Sequence, residues 1–447
     1  MNITAPQPAR RSARRVSLAA SIGNTIETFD YAIYGFMATV LAALFFPHTT
    51  AGAALLSTFA VFGAAFAVRP LGSFVFGPLS DRIGRRPTLV VTLLLMALAT
   101  AAIGALPTAA SVGVMAPILL VALRLVQGLA AGGEYATALI YAAEFAPPGR
   151  RGSMTSRVQV GSLCGFLIAA GVVLALRAVL TPEQVLAWGW RVPFLLALPM
   201  GAIGLYVRSR LGETPEFEAV RAARGAAAAP VRESFARQWP RMLTIVGISA
   251  LHIIGIYMVY TYVQSAIIGL GYSPTRATLV IVLALAAGVA LAVLGGRLAD
   301  RWGRRPLLAG VSVAVLVCAY PLFGALSSAG SLAEVILLTV LLSAGPALYS
   351  GIVPIAYVEL VPVAVRGSAV SIAYNVAAAA FGGSALYISQ WLVNATGDPR
   401  SPAFLLMAAA AVSMVGALAL TRAAAKQPAE RRATRIDGKP APAAARS

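Results

Sequence analysis

GPLSDRIGRRP at residues 77–87 and GRLADRWGRRP at residues 296–306 are one loop written twice, 219 positions apart. A second pair repeats at nearly the same offset. Glu144 precedes Arg151-Gly152-Ser153 by the spacing that separates Glu359 from Arg366-Gly367-Ser368, a shift of 215 residues. All four stretches lie between long apolar runs, so the chain reads as one unit of helices and loops used twice.

The surroundings of these loops decide what the unit is. Of 447 residues, 59% are hydrophobic and only 11% charged, with a mean hydropathy of +0.81, against about 25% charged in a soluble domain. Backbone in lipid is satisfied only in helices or closed barrels. The runs are rich in Ala, Leu and Val and lack period-2 alternation, which selects helices. Apolar segments fall at about 18–46, 53–78, 88–108, 113–144, 154–181 and 188–210, then at 241–269, 274–296, 306–328, 332–360, 367–396 and 402–422, each long enough for a span of about 20 residues. The expectation is an all-α membrane protein: twelve transmembrane helices in two pseudo-symmetric six-helix bundles. It divides into an N-terminal segment 1–17, a bundle 18–210, a linker 211–240 read as a flexible tether, a bundle 241–422 and a disordered tail 423–447.

A net charge of +19 in a soluble chain suggests nucleic acid. Here the charge sits between spans and reports topology instead. With the N-terminus inside, 29 of the 35 Lys and Arg fall on the cytoplasmic side and four outside. A multi-pass protein of the inner (plasma) membrane with both termini cytoplasmic follows, with the lipid bilayer and not nucleic acid as its surroundings. The basic N-terminus leads into an apolar run too long for a signal peptide. Cys164 and Cys318 both sit in apolar runs, so neither a disulfide framework nor a metal site is expected. The chain carries no H-E-x-x-H, G-x-S-x-G or phosphate loop and has two histidines, which argues against an enzyme. Helical membrane repeats instead put a central site between them, the architecture of carriers.

The duplicated loop has its own chemistry. Gly77, Gly84 and Gly303 permit tight turns and close helix approach. Asp81 and Asp300 are placed to cap the next helix or to pair with arginines. The arginines Arg82, Arg85, Arg86, Arg301, Arg304 and Arg305, with Arg151 and Arg366 after the later loops, are placed to hold Glu144 and Glu359. Such pairs form a latch between the halves that closes in one state and releases in another.

Charges inside the spans are the second signal, since each costs roughly 2.5–3.5 kcal/mol at a helix centre on insertion scales. Glu27 and Asp30, in GNTIETFDYAIYGF (23–36), are three residues apart and share a helix face. The fourth span carries Arg124 and Glu134, and the second carries Arg69 beside Pro70. Arg69 is either an anion ligand or a brace at the proline kink; Glu134 either lines the cavity or pairs with Arg69.

The loop resembles the signature of the major facilitator superfamily, and the resemblance covers about residues 17–422. Within it the chain is similar to the metabolite:proton symporters, on GNTIETFDYAIYGF, FFP (45–47), VFGAAFAVRPLG (61–72), RLVQGLAAGGEYATALIYAAEFAPPGRRG (124–152) and LGETPEF (211–217). The family's usual Glu-Trp-Tyr-Asp in the first helix is Glu-Thr-Phe-Asp here. The resemblance implies the major facilitator fold and alternating access, with protons as coupling ion, no cofactor, and a monomer. The implied substrate is a small organic acid, with 2-oxoglutarate or citrate preferred over proline and betaine, and sugar carriers and drug exporters ranked below. Arg124-Leu125-Val126-Gln127-Gly128 matches the family's R-x-x-Q-G. Asp30 is therefore the expected main proton site, with Arg124 as its ion-pair partner and Glu27 and Glu134 as further acids; the alternative is a permanent structural pair. Arg69, Arg124, Gln159, Tyr257, Tyr374 and Asn375 are the expected substrate contacts, with Tyr135 and Ser162 as lesser candidates. His252 is read as packed.

Overall fold

The computed structural model describes residues 7–73, 75–76, 85–132, 134–144, 146, 149–209, 230–361 and 366–424. Of the positions named above, Gly77, Asp81, Arg82 and Gly84 lie outside the described residues, as do the side chains of Arg85, Arg86, Glu134 and Glu144. The same holds for residues 211–229 of the linker and 425–447 of the tail.

Helices account for each expected segment. Among the described residues, eight are long and apolar enough to cross a membrane: Ala51–Ser73, Arg151–Val179, Gln238–Gly269, Pro274–Trp302, Arg304–Ser327, Leu332–Leu360, Arg366–Thr396 and Pro402–Leu420. The first and sixth spans are bent pairs, Ser21–Phe36 with Ala38–Phe45 at 58° and Pro182–Gly189 with Arg191–Val207 at 42°. The third and fourth positions hold the shorter apolar helices Val90–Ala105 and Met115–Ala130, the latter followed by Glu134–Glu144. The helix of the seventh span begins at Pro230, inside the stretch read as a tether.

Local chemistry sets the helix starts. Thr50 accepts from the Ala53 N–H, Ser273 from Arg276 and Ser331 from Glu334, each satisfying a backbone donor that the first turn leaves open. Thr181 and Gln184 form a reciprocal capping box at the sixth span. Two π-helical turns, Met258–Tyr262 in the seventh span and Ala378–Gly382 in the eleventh, each follow shortly on a tyrosine expected at the site, Tyr257 and Tyr374. Such turns recur at functional sites because they displace the side chains around them.

Lipid tails are as apolar as leucine, so close packing and not hydrophobicity holds membrane helices together. The most extensively packed pairs are the first span with the fifth, the eighth with the tenth, and the eighth with the fifth. The last of these joins the first six spans to the last six along nearly its whole length. Gly128 of the fourth span lies so close to the second that a Cβ would run into the Ala65 carbonyl oxygen. Gly171 in the fifth span has no atom within 4 Å of the same position. Gly128→Ala is expected to destabilise by about 1–3 kcal/mol, because backbone must move. Gly171→Ala is expected to stabilise by about 0.5–1 kcal/mol through helix propensity. Thermal unfolding in detergent checks both.

Candidate functional site

A cavity of about 40 Å³ lies between the halves, room for roughly three waters and far below the roughly 300 Å³ of a ligand pocket. Admitting a solute therefore requires the halves to part. The first span supplies Asn24, Glu27, Thr28 and Tyr31, whose three- and four-residue spacing keeps them on one face. Arg69 comes from the second span, directly after the helix breaks at Val68. Tyr135, Gln159 and Phe166 complete the N-terminal wall; His252, Tyr257 and Tyr374 face them from the C-terminal half.

The cavity's charges are a pair. Arg69 Nη2 stands 2.9 Å from Glu27 Oε1, with both side chains about 5% exposed, and the same nitrogen donates to the Ala131 carbonyl at 3.3 Å. The guanidinium carbon lies 5.4 Å from the ring centres of both Tyr31 and Phe66. Tyr135 donates to Gln159 Oε1 at 2.9 Å, and its ring lies 4.4 Å from that of Tyr374. Asn24 donates to the Val158 carbonyl at 2.9 Å and to Ser162 Oγ, tying the first span to the fifth. Four expected contacts, Arg69, Gln159, Tyr257 and Tyr374, thus meet at one cavity with Glu27. Asn24, Thr28, Tyr31 and Phe166 join them unforeseen, although the spacing from Glu27 to Tyr31 carried that signal. His252, expected to be packed, lines the cavity with Nδ1 unbonded among the described residues.

Asp30 and Arg124 do not form the expected ion pair. Arg124, fully buried, donates to Gln127 Oε1 at 2.9 Å and to the Phe62 carbonyl at 3.4 Å. Its guanidinium carbon lies 4.3 Å from the Tyr34 ring centre and 5.1 Å from that of Phe62, contacts worth about 2 kcal/mol when desolvated. Gln127 in turn donates to Thr100 Oγ1 at 2.6 Å. Neither oxygen of Asp30, 2% exposed, has a hydrogen-bond donor among the described residues. Sequence alone does not fix the relative depth and rotation of two helices, and here they favour a carbonyl, an amide and aromatic faces as Arg124's ligands. Neither Asp30 nor Arg124 lines the cavity. Asn375 also stands away from it, donating to the Gly132 carbonyl at 3.1 Å and to Ser73 Oγ at 3.4 Å.

At the arginine-rich end, Asp300 neither caps its neighbour nor binds an arginine among the described residues. Its Oδ1 accepts from the Gly152 N–H at 2.7 Å, and Oδ2 accepts from the Ser153 N–H and Oγ at 2.8 and 2.5 Å. A carboxylate of the C-terminal half therefore sits on the first turn of the fifth span, where free N–H groups and the helix dipole favour negative charge. The approach relies on Gly152 and Gly296, each of which would drive a Cβ into the other's carbonyl oxygen. Nearby, Arg304 pairs with Glu359 at 2.6 Å, and Arg366 Nε donates to the Val361 carbonyl at 3.2 Å. Arg151 lines a recess with Asp300, Arg304 and Glu359. Gly303 turns the chain at φ +83°, while Arg301 and Arg305 are exposed. At the opposite end of the same helix pair, Arg177 donates to the Pro274 carbonyl at 3.0 Å and to Thr278 Oγ1 at 3.1 Å, a contact that sequence reading missed.

Two outcomes test this geometry. Glu27→Gln leaves the Arg69 charge buried without its carboxylate and is expected to cost about 3–5 kcal/mol. Glu27→Leu combined with Arg69→Met is expected to restore thermal stability but not transport. Asp300→Ala removes three hydrogen bonds at once. It is expected to raise several-fold the reaction of Ser156→Cys, a buried position beside Gly296, with a water-soluble maleimide.

The sequence model of the Major Facilitator Superfamily matches residues 20–383 and, again, 248–446. The chain is 33% identical over 424 residues to a proline/betaine transporter of Salmonella typhimurium, covering 92% of this chain and 84% of that one. It is 35% identical over 411 residues to a citrate-proton symporter of Klebsiella pneumoniae, covering 91% and 92%. The structure of the proton:xylose symporter XylE superposes with a TM-score of 0.73 at 18% identity, over 92% and 95% of the two chains, a likeness of fold. The chain is thus a multi-pass membrane transporter and not an enzyme, and it belongs to the major facilitator superfamily, among its metabolite:proton symporters.

Proposed function

We propose that the chain imports a small zwitterionic solute of the betaine or proline type together with protons. The observation that carries this reading is the charge balance of the cavity, one arginine matched by one carboxylate among the described residues. A zwitterion exchanges into such a site without changing its net charge. Its carboxylate takes Arg69, and its ammonium takes Glu27 and the faces of Tyr257, Tyr374 and Phe166, as cations stack on aromatic rings. A tricarboxylate brings three negative charges to one guanidinium, and uncompensated charge away from water is costly. Proline/betaine transporters among the relatives favour the same side. A carboxylate is the second reading, favoured by the citrate-proton symporter relative and preferred on sequence alone.

In this mechanism Asp30 carries the proton. The packed arrangement gives its carboxyl no donor, which suits the neutral acid; Arg124, the charged neighbour in electrostatic reach besides Glu27, stabilises the carboxylate once the helices shift. Asp300 and Arg177 hold opposite ends of the interface and release in turn. The carrier works as a monomer in the inner membrane with both termini in the cytoplasm. A zwitterion with a proton brings in net positive charge, so the membrane potential adds about 2.3 kcal/mol per charge per 100 mV to the pH gradient.

Uptake of labelled glycine betaine, proline, citrate and 2-oxoglutarate into proteoliposomes tests the reading. Betaine or proline is expected to accumulate under an inward proton gradient or an inside-negative potential, and to stop with an uncoupler. Asp30→Asn is expected to lose accumulation and keep substrate exchange. Accumulation of citrate alone overturns the zwitterion, and indifference to both gradients overturns proton coupling.

A further inference from the structure

The first span carries two acid–tyrosine pairs, Glu27 with Tyr31 and Asp30 with Tyr34, each four residues apart and offset from one another by three. Each pair is served by one buried arginine. Arg69 binds Glu27 at 2.9 Å and lies 5.4 Å from the Tyr31 ring centre. Arg124 lies 4.3 Å from the Tyr34 ring centre and 5.6 Å from that of Tyr31. The first group opens on the cavity through Glu27, Arg69 and Tyr31, and the second does not. The Tyr31 ring is the part that they share.

We propose that Tyr31 is the positioning residue that couples occupation of the central cavity to the proton on Asp30, through the ring that Arg69 and Arg124 hold in common. The proposal rests on the reading of Asp30 as the proton site. Arg69, Glu27, Arg124 and Asp30 are the charged side chains that act on Tyr31 among the described residues. The Tyr31 hydroxyl is buried without a hydrogen-bond partner there, so cation–π contacts and ring packing on Phe66 at 5.2 Å set the position of the ring, and no polar bond anchors it. A substrate carboxylate competes with Glu27 and with this ring for the Arg69 guanidinium. As Arg69 turns to the substrate its contact with the ring weakens, and the ring is free to follow Arg124. Arg124 then moves relative to Asp30, and a change in the cavity reaches the proton without the substrate touching Asp30. The proton arrives from the outer aqueous side and leaves to the inner side; no bond other than that to the carboxyl oxygen forms or breaks.

The test compares Tyr31→Leu and Tyr31→Phe with the unaltered protein in proteoliposomes, measuring betaine exchange, gradient-driven accumulation, and alkalinisation of a weakly buffered medium when betaine is added. If the unaltered protein does not move protons with betaine, the underlying reading fails before the variants matter. If it does, Tyr31→Leu is expected to keep exchange at a reduced rate while accumulation and alkalinisation fall at least ten-fold. Tyr31→Phe, which keeps the ring and drops the hydroxyl, is expected to rescue both. Coupled accumulation by Tyr31→Leu overturns the proposal. So does loss of coupling in Tyr31→Phe with exchange intact, since the hydroxyl is then what matters. Loss of exchange together with accumulation in Tyr31→Leu also overturns it, because the ring then serves binding alone.

Discussion

A guanidinium buried among membrane helices has no water to solvate it, and two of them, Arg69 and Arg124, sit within the first four spans at 4% exposure or less. The rest of the N-terminal half is arranged around what they accept instead of water. Arg69 takes a carboxylate, a carbonyl and two aromatic faces. Arg124 takes an amide oxygen, a carbonyl and three aromatic faces. Isolated charge at that depth is expensive enough that the first span has to present acids and rings on the face that meets both. Glu27, Asp30, Tyr31 and Tyr34 are that face. One arginine ends beside the central cavity and the other is packed away from it among Tyr34, Phe62 and Gln127.

Much of this was legible before any coordinates. The duplicated GRR loop, the apolar runs and the side preference of the arginines led directly to a two-part helical carrier, because those features are imposed by lipid and by insertion rather than by fine packing. The acid and basic residues at the centre were also visible, since nothing else in a membrane span tolerates them. What stayed hidden was who meets whom. Asp30 and Arg124 look like natural partners on a list of charges. Yet pairing across helices depends on tilt, depth and rotation, and the chain instead joins Glu27 to Arg69. Asn375 and Tyr374, adjacent in sequence, also part company, one bonding across to Gly132 and the other facing the cavity. A helical step of 100° per residue decides that, and composition does not.

The fifth and eighth spans show how the ends of the carrier are held. The two helices pack against one another from end to end, each contributing a charged group from its last turns to the first turn of the other. Asp300 of the eighth span sits on the N–H groups of Gly152 and Ser153, and Arg177 of the fifth sits on the Pro274 carbonyl and Thr278. The chemistry matches the sign of each partner: free N–H groups draw the carboxylate, and carbonyl and hydroxyl oxygens draw the guanidinium. In the present arrangement both ends are engaged and the cavity between them, about 40 Å³, is too small for a solute.

Separating the latches from the cavity, and the cavity from the buried acid, has a consequence for how such a scaffold serves different solutes. Contacts at Asp300 and Arg177 involve backbone groups, which no side-chain replacement in the cavity alters. Asp30, Arg124, Gln127 and Thr100 likewise do not line the cavity, and the Arg124 guanidinium packs on Tyr34 and Phe62. Of the residues that face the cavity, His252 and Tyr257 come from the seventh span and Tyr374 from the eleventh, next to π-helical turns that shift the register of a wall without moving its helix ends. Replacing those side chains alters the cavity wall and leaves the contacts at both ends of the fifth and eighth spans in place. Relatives of this chain are named for proline and betaine and for citrate, and a cavity wall that can change apart from the helix ends is compatible with that spread.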